Sequence, residues 1–265
     1  MMNPVNDQVI GIVGGMGPEA GVTLCNYILA NTKAAADQEH LSLMLMSFPG
    51  HIPDRTAFLE GSPVNNPAYK IAEIIGRLEN AGAGVVAIAC NTCHVPEIFD
   101  VIQSELYKAR SSVKLLSMPQ ETLAYLKTHH RPVKRLGLMT TNGTYHSGLY
   151  ENLLRENGYE VILPGPALQR SCIHRMIYDP VFGIKANPGH LTPEVIALTG
   201  TAMDFFNEHG AQAILLGCTE LSQLIHLKKV TGLLMIDTLR VLSLAVIREV
   251  KNSTLASLPF IDPNT

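Results

Sequence analysis

Short apolar runs alternate with longer amphipathic stretches along most of the chain. Short runs bounded by turn residues predict buried strands, and apolar positions recurring every three or four residues predict helices. Strands are predicted at residues 9–13, 41–46, 84–89, 113–116, 136–139, 161–163, 213–216 and 233–236. Helices are predicted at 18–33, 68–81, 96–109, 119–128, 145–157, 193–209 and 238–250. Such alternation builds βαβ units and a mostly parallel sheet, so the fold class is α/β.

The pattern repeats. Gly11-Ile12-Val13-Gly14-Gly15-Met16-Gly17 leads into a helix carrying Tyr27, and Gly137-Leu138-Met139-Thr140-Thr141-Asn142-Gly143 into one carrying Tyr150. Gly11 and Cys90 stand 79 positions apart, Gly137 and Cys218 81. Leu115-Leu116-Ser117-Met118 and Leu233-Leu234-Met235-Ile236 then form similar runs, each followed by a helix. This is the signature of a duplicated unit. It predicts two pseudo-symmetric domains, each a mostly parallel sheet flanked by helices. The first takes residues 1–117 and 237–265, the second 118–236. The last helix is expected to pack back on the first domain, and the tail from Ser253 on to be irregular.

Composition narrows the partners. A chain of 265 residues that is 46% hydrophobic can bury a large core. A net charge of -3 without a basic block argues against nucleic acid. No stretch reaches the roughly 18 apolar residues of a membrane span. Met1 to Gln8 carry neither a basic side chain nor an apolar segment, so a cytoplasmic address and five free thiols are expected.

Two of those thiols stand out. Cys90 ends the apolar run 83–89 and Cys218 ends the run 211–217. Each lies where a buried strand stops, and in open α/β sheets ligands bind at the carboxyl ends of the strands. Cys90-Asn91-Thr92-Cys93-His94 also matches C-x-x-C-H, but no export signal supports haem attachment, and no second ligand pair at matching spacing supports zinc. Cys25 falls inside the first helix as core packing, and Cys172 in an irregular stretch with Ser171 and His174. Cys90 alone is as readily a small core residue; its recurrence at Cys218 is what points to chemistry. Inverting a carbon centre means removing a proton from one face and delivering one to the other. Two thiols suit that work, because an unperturbed pKa of about 8.5 lets thiolate and thiol coexist after modest tuning. A carbon acid roughly ten units weaker than its base sets a gap of roughly 14 kcal/mol, which fixed donors and cations must reduce.

Candidates for those donors are present. Gly14-Gly15-Met16-Gly17-Pro18 follows a strand and opens a helix, so its N–H groups can hold an anion; a plain tight turn is the alternative. Arg55, in a loop after the second strand, can pair bidentately with a carboxylate. Lys185 is a second possible carboxylate partner. Asn91, Thr92 and Thr219 flank the thiols as donors. His94 and Glu220 either tune the thiols or cap the helices that follow them.

Taken in order, Gly-Gly-Met-Gly-Pro, Ile52-Pro53-Asp54-Arg55-Thr56, Cys90-Asn91-Thr92-x-His94 and Gly217-Cys218-Thr219-Glu220 resemble the aspartate/glutamate racemase family, nearest its aspartate racemase branch. The resemblance runs from about Ile10 to Ile236. It implies a two-domain α/β protein that racemises an acidic amino acid in the cleft between the domains, with no cofactor and no metal, usually as a homodimer. It places Cys90 and Cys218 on the two catalytic cysteines and Arg55 on the carboxylate-binding arginine. Lys185 falls on a lysine associated with the distal carboxylate, and Met16, Asn91, Thr92, Thr141 and Thr219 on the pocket lining. Cys93 departs from the small apolar residue common there and is expected to be a packing substitution. Hydantoin racemisation, a maleate-type isomerisation and non-catalytic binding of an amino acid are the competing readings.

Overall fold

The computed structural model describes residues 8–227 and 232–251. Two four-stranded sheets organise it, and every strand pair in both is parallel. In the first sheet β1 (Val9–Gly14), β2 (Leu43–Ser47), β3 (Ala83–Ile88) and β4 (Lys114–Leu115) lie in the order β2-β1-β3-β4. In the second, β5 (Arg135–Thr140), β6 (Glu160–Ile162), β7 (Ala213–Gly217) and β8 (Leu234–Asp237) lie in the order β6-β5-β7-β8. The same order in the same direction is the repeat read from the sequence. The central strands are covered on both faces, which is why they read as continuous apolar runs rather than alternating ones. Ile12 pairs with Leu45 on one side and Ala87 on the other, and Leu138 pairs with Leu215.

Helices cover the sheets. The first half contributes α1 (Pro18–Asn31), α2 (Arg55–Leu59), α3 (Ala68–Asn80) and α4 (Pro96–Lys108). Then come α5 (Met118–His129), α6 (Asn142–Ser147), α7 (Leu149–Glu156), α8 (Pro166–Leu168), α9 (Arg175–Tyr178), α10 (Pro193–Glu208) and α11 (Thr238–Lys251). α3 shows how patterning sets them: Ile71, Ile75 and Leu78 are buried, while Lys70 and Arg77 pair with Glu73 on the outer face at 2.8 and 2.5 Å. Proline opens α1, α4 and α10, where a missing N–H costs nothing. α11 packs against the first sheet: Leu239, Leu242, Val246 and Val250 share a core with Ile10, Ile12, Leu24 and Ile28. α5 touches both cores, with Met118 in the first and Leu123 and Leu126 in that of β5 and β7.

The structure corrects several local expectations. The helix expected at 145–157 is two, because Gly148 takes a left-handed φ of 68° and breaks α6 from α7. Arg55 is not in a loop but opens α2, which Asp54 caps by accepting the Ala57 N–H at 2.8 Å. Cys172 does not lie in irregular chain. A π-helical turn, Gln169–His174, links α8 to α9 and buries Cys172, whose thiol donates to the Leu198 carbonyl at 3.2 Å. β4 keeps only two residues of the run expected at 113–116. The tail from Ser253 lies outside the described residues. Among the described residues no helix is long and apolar enough to cross a membrane.

Candidate active site

The carboxyl ends of the four central strands, β1 and β3 in one sheet and β5 and β7 in the other, supply the walls of one small recess. Met16, Arg55, Cys90, Asn91, Thr92, Thr141, Lys185, Cys218, Thr219 and Glu220 all line it, together with Tyr178. Of the residues expected at the site, only His94 does not reach the recess; it stands behind it. His94 bonds the Cys90 carbonyl through Nδ1 at 2.9 Å and stacks on Phe99. Burial pushes its pKa down to about 4, so the ring is neutral.

Cys90 lies two residues beyond β3, and Cys218 directly follows β7. Both are buried at 4% exposure, yet their environments drive them apart. The Cys90 thiol is lowered to about 6, chiefly by a hydrogen bond from the Cys93 thiol, working against burial, with further help from Arg55 and Lys185. Cys218 is pushed well up, first by burial and then by the Glu220 carboxylate. Its Sγ donates to Glu220 Oε2 at 3.0 Å. These surroundings favour the thiolate at Cys90 and the thiol at Cys218 near neutral pH.

Glu220 is the hub of the second thiol's surroundings. It accepts from Cys218, from the Thr219 hydroxyl at 3.2 Å, from the Gly17 N–H at 2.9 Å and from Lys185 Nζ. Burial works to raise its pKa, but Lys185 and these donors hold it at about 2. Lys185 is in turn held charged: burial alone would lower it, and Glu220 more than reverses that. Gly17 belongs to the loop after β1, so the Gly-rich turn does present an N–H to a carboxylate.

Arg55 is 7% exposed. Its Nη2 donates to the Met16 carbonyl and its Nη1 to that of Pro53, both at 3.2 Å, while Nε is buried without a partner. Thr92 joins the halves, bonding the hydroxyls of Thr141 and Thr144 at 3.1 and 3.0 Å. Asn91 is fixed by donating to Thr238 Oγ1 at 3.0 Å and accepting from Tyr150 OH. Tyr178 is a site residue that sequence reasoning missed. Its hydroxyl donates to Asp54 Oδ2 at 3.1 Å and its ring lies 5.3 Å from Lys185 Nζ. No local motif in the sequence marks it. Among the described residues no group of three or more His, Cys, Asp or Glu side chains is arranged to hold a metal.

Comparison with known proteins identifies the family. The Asp/Glu/hydantoin racemase family model matches residues 13–245. The chain is 28% identical over 223 residues to a broad-specificity amino-acid racemase, RacX, of Bacillus subtilis, covering 82% of this chain and 87% of that one. Among solved structures, Picrophilus torridus aspartate racemase superposes with a TM-score of 0.73 at 28% identity, over 92% of this chain and 94% of the other. Glutamate racemase from Francisella tularensis, solved with D-glutamate, superposes at 0.64 and 16% identity, over 98% and 86%, and shares the fold. The two-sheet architecture, the cleft and these matches place the chain in the Asp/Glu/hydantoin racemase family.

Proposed function

We propose that the chain interconverts the enantiomers of an acidic amino acid, aspartate first and glutamate beside it, by proton transfer between Cys90 and Cys218 without a cofactor. One observation carries this reading: two thiols, one from each sheet, line a single recess, one lowered to about 6 and the other pushed well up. The Cys90 thiolate takes the α-proton of one enantiomer, and the Cys218 thiol gives its proton to the opposite face of the same carbon. The cycle ends with Cys90 protonated and Cys218 ionised, ready to run in reverse on the product enantiomer. Arg55, whose buried Nε has a free donor, pairs with one carboxylate and spreads the developing negative charge. Lys185 serves the side-chain carboxylate, and Asn91, Thr92 and Thr219 orient the α-substituents. Glu220 keeps the proton on Cys218. A cytoplasmic homodimer is part of the same proposal.

The broad-specificity relative favours a second reading, in which several amino acids are turned over. Proton NMR in deuterated water, with each enantiomer of aspartate, glutamate and several neutral amino acids, separates the two. α-Deuterium in the acidic pair alone supports the first reading, and deuterium throughout the panel supports the second. No incorporation anywhere rejects both. Cys90→Ser and Cys218→Ser each abolish racemisation; full activity in either variant rejects the two-thiol mechanism.

A further inference from the structure

Cys93 is a buried thiol that the proton-transfer chemistry does not require. It is fully buried, in the core that also holds Cys90 and Met16. A single turn, Thr92–His94, brings it back toward Cys90 three positions earlier. Its Sγ lies 3.3 Å from Met16 Sδ, and Met16 is part of the recess wall. A thioether is a weak acceptor and a thiolate a strong one, so the Cys93 proton is drawn to Cys90. The C-x-x-C spacing that signals neither haem nor zinc thus places a second sulfur beside the most acidic thiol of the chain.

The other thiols are differently placed. Cys172 is pushed up to about 11 by burial and donates to a backbone carbonyl. Cys25, half-buried on α1, is also raised by burial. Cys218 is held protonated against Glu220. Oxidants select a thiolate that opens to solvent, and a neighbouring thiol converts the first oxidation product into a disulfide. Cys90 is only 4% exposed, but that exposure is at the recess wall, and Cys93 stands one turn behind it.

We propose that Cys90 and Cys93 form a peroxide-responsive dithiol, in which Cys93 traps oxidised Cys90 as a reversible disulfide and spares it from irreversible loss. The Cys90 thiolate attacks one oxygen of hydrogen peroxide, the O–O bond breaks, and hydroxide leaves with a proton from solvent as water. Cys90 is then a sulfenic acid. The Cys93 sulfur gives up its proton and attacks the Cys90 sulfur, the S–O bond breaks, and the oxygen departs as a second water. Two thiols and one peroxide become one disulfide and two waters.

The experiment uses the full-length reduced protein and hydrogen peroxide, read by mass spectrometry of tryptic peptides. Cleavage after Arg77 and Lys108 isolates both sulfurs in one peptide, 78–108, with no other cysteine. In the wild type this peptide is expected to become lighter by about 2 Da and to recover fully in dithiothreitol. At pH 9.5, where Cys90 is ionised with or without its neighbour, the peptide in Cys93→Ala and in the closer-sized Cys93→Ser is expected to gain about 32 Da as sulfinic acid that dithiothreitol does not reverse, at least about tenfold faster than in the wild type at the same pH. Equal rates of irreversible oxidation in wild type and variant overturn the proposal. So does a cross-link from Cys90 to the peptide carrying Cys218. The masses are read without any turnover, so the outcome is separate from whether the protein racemises aspartate.

Discussion

At the scale of single residues, the two strand-end cysteines are made unequal by what surrounds them. Cys90 is lowered to about 6, so it is a base above that pH and is lost as a base below it. The largest cause is the hydrogen bond from Cys93. In Cys93→Ala the Cys90 thiol is expected to titrate nearer the ordinary thiol value of about 8.5. Alkylation of Cys90 by iodoacetamide against pH measures this directly. The midpoint should rise by at least about one unit, and the acid limb of kcat/KM should move with it. An unchanged midpoint would leave Arg55 and Lys185 as the whole cause. The cysteines, Asn91, Thr92 and Thr219 were legible in the sequence because each flanks a strand end, a feature that apolar runs reveal. Tyr178 was not legible, because nothing local says where a residue before a long irregular stretch points. The pairing of Glu220 with Lys185, 35 positions apart, is likewise decided by tertiary packing.

At the scale of elements, the site depends on strands that approach closely and end at the right place. Gly217 is the last residue of β7, directly before Cys218. A Cβ there would stand 2.6 Å from Thr140 Cγ2 and 3.3 Å from the Tyr150 ring. Gly217→Ala is therefore expected to destabilise the fold by about 1–3 kcal/mol in urea denaturation, as overpacking does, and to lower kcat by moving Cys218. Gly76 is the opposite case. It lies within α3, and a Cβ there meets nothing within 4 Å. Gly76→Ala should stabilise by about 0.4–1 kcal/mol, through helix propensity and a less flexible unfolded chain, with activity unchanged. The strands and most helices were legible because apolar runs and the helical period are both strong. The division at Gly148 and the π turn at Gln169–His174 were not. Amphipathic patterning continues across Gly148, and the π turn is shaped by burial of Gln169, Cys172 and Ile173 rather than by a local signal.

At the scale of the whole molecule, the duplication read from matched spacings becomes two sheets whose strand ends converge, and a few side chains tie them together. Tyr27 on α1 donates to Asp237 at the end of β8, and Glu220 after β7 accepts from Gly17 after β1. Glu220 makes that tie pH-dependent. Its folded pKa of about 2 lies below the ordinary 4.5. Between those values the unfolded chain binds the proton and the folded chain does not, so stability falls as pH drops from about 4.5 towards 2. At about 1.36 kcal/mol per unit the contribution is roughly 3 kcal/mol, complete above pH 4.5. Asp237 acts with the opposite sign. Burial raises its folded pKa despite donation from Ser222 and Tyr27, so its charge opposes folding as pH rises through its titration. Glu220→Gln separates the two. The variant leaves the Lys185 ammonium buried without its carboxylate and should be less stable than wild type by about 3–5 kcal/mol at pH 7. Because Gln does not titrate, the gap should hold from pH 7 to 5 and shrink from pH 4.5 downward. Urea denaturation at pH 7, 5, 4 and 3 measures it. A gap that stays constant across that series would mean that Glu220 titrates alike in the folded and unfolded chains, and that its tie to Gly17 and Lys185 does not hold the halves together.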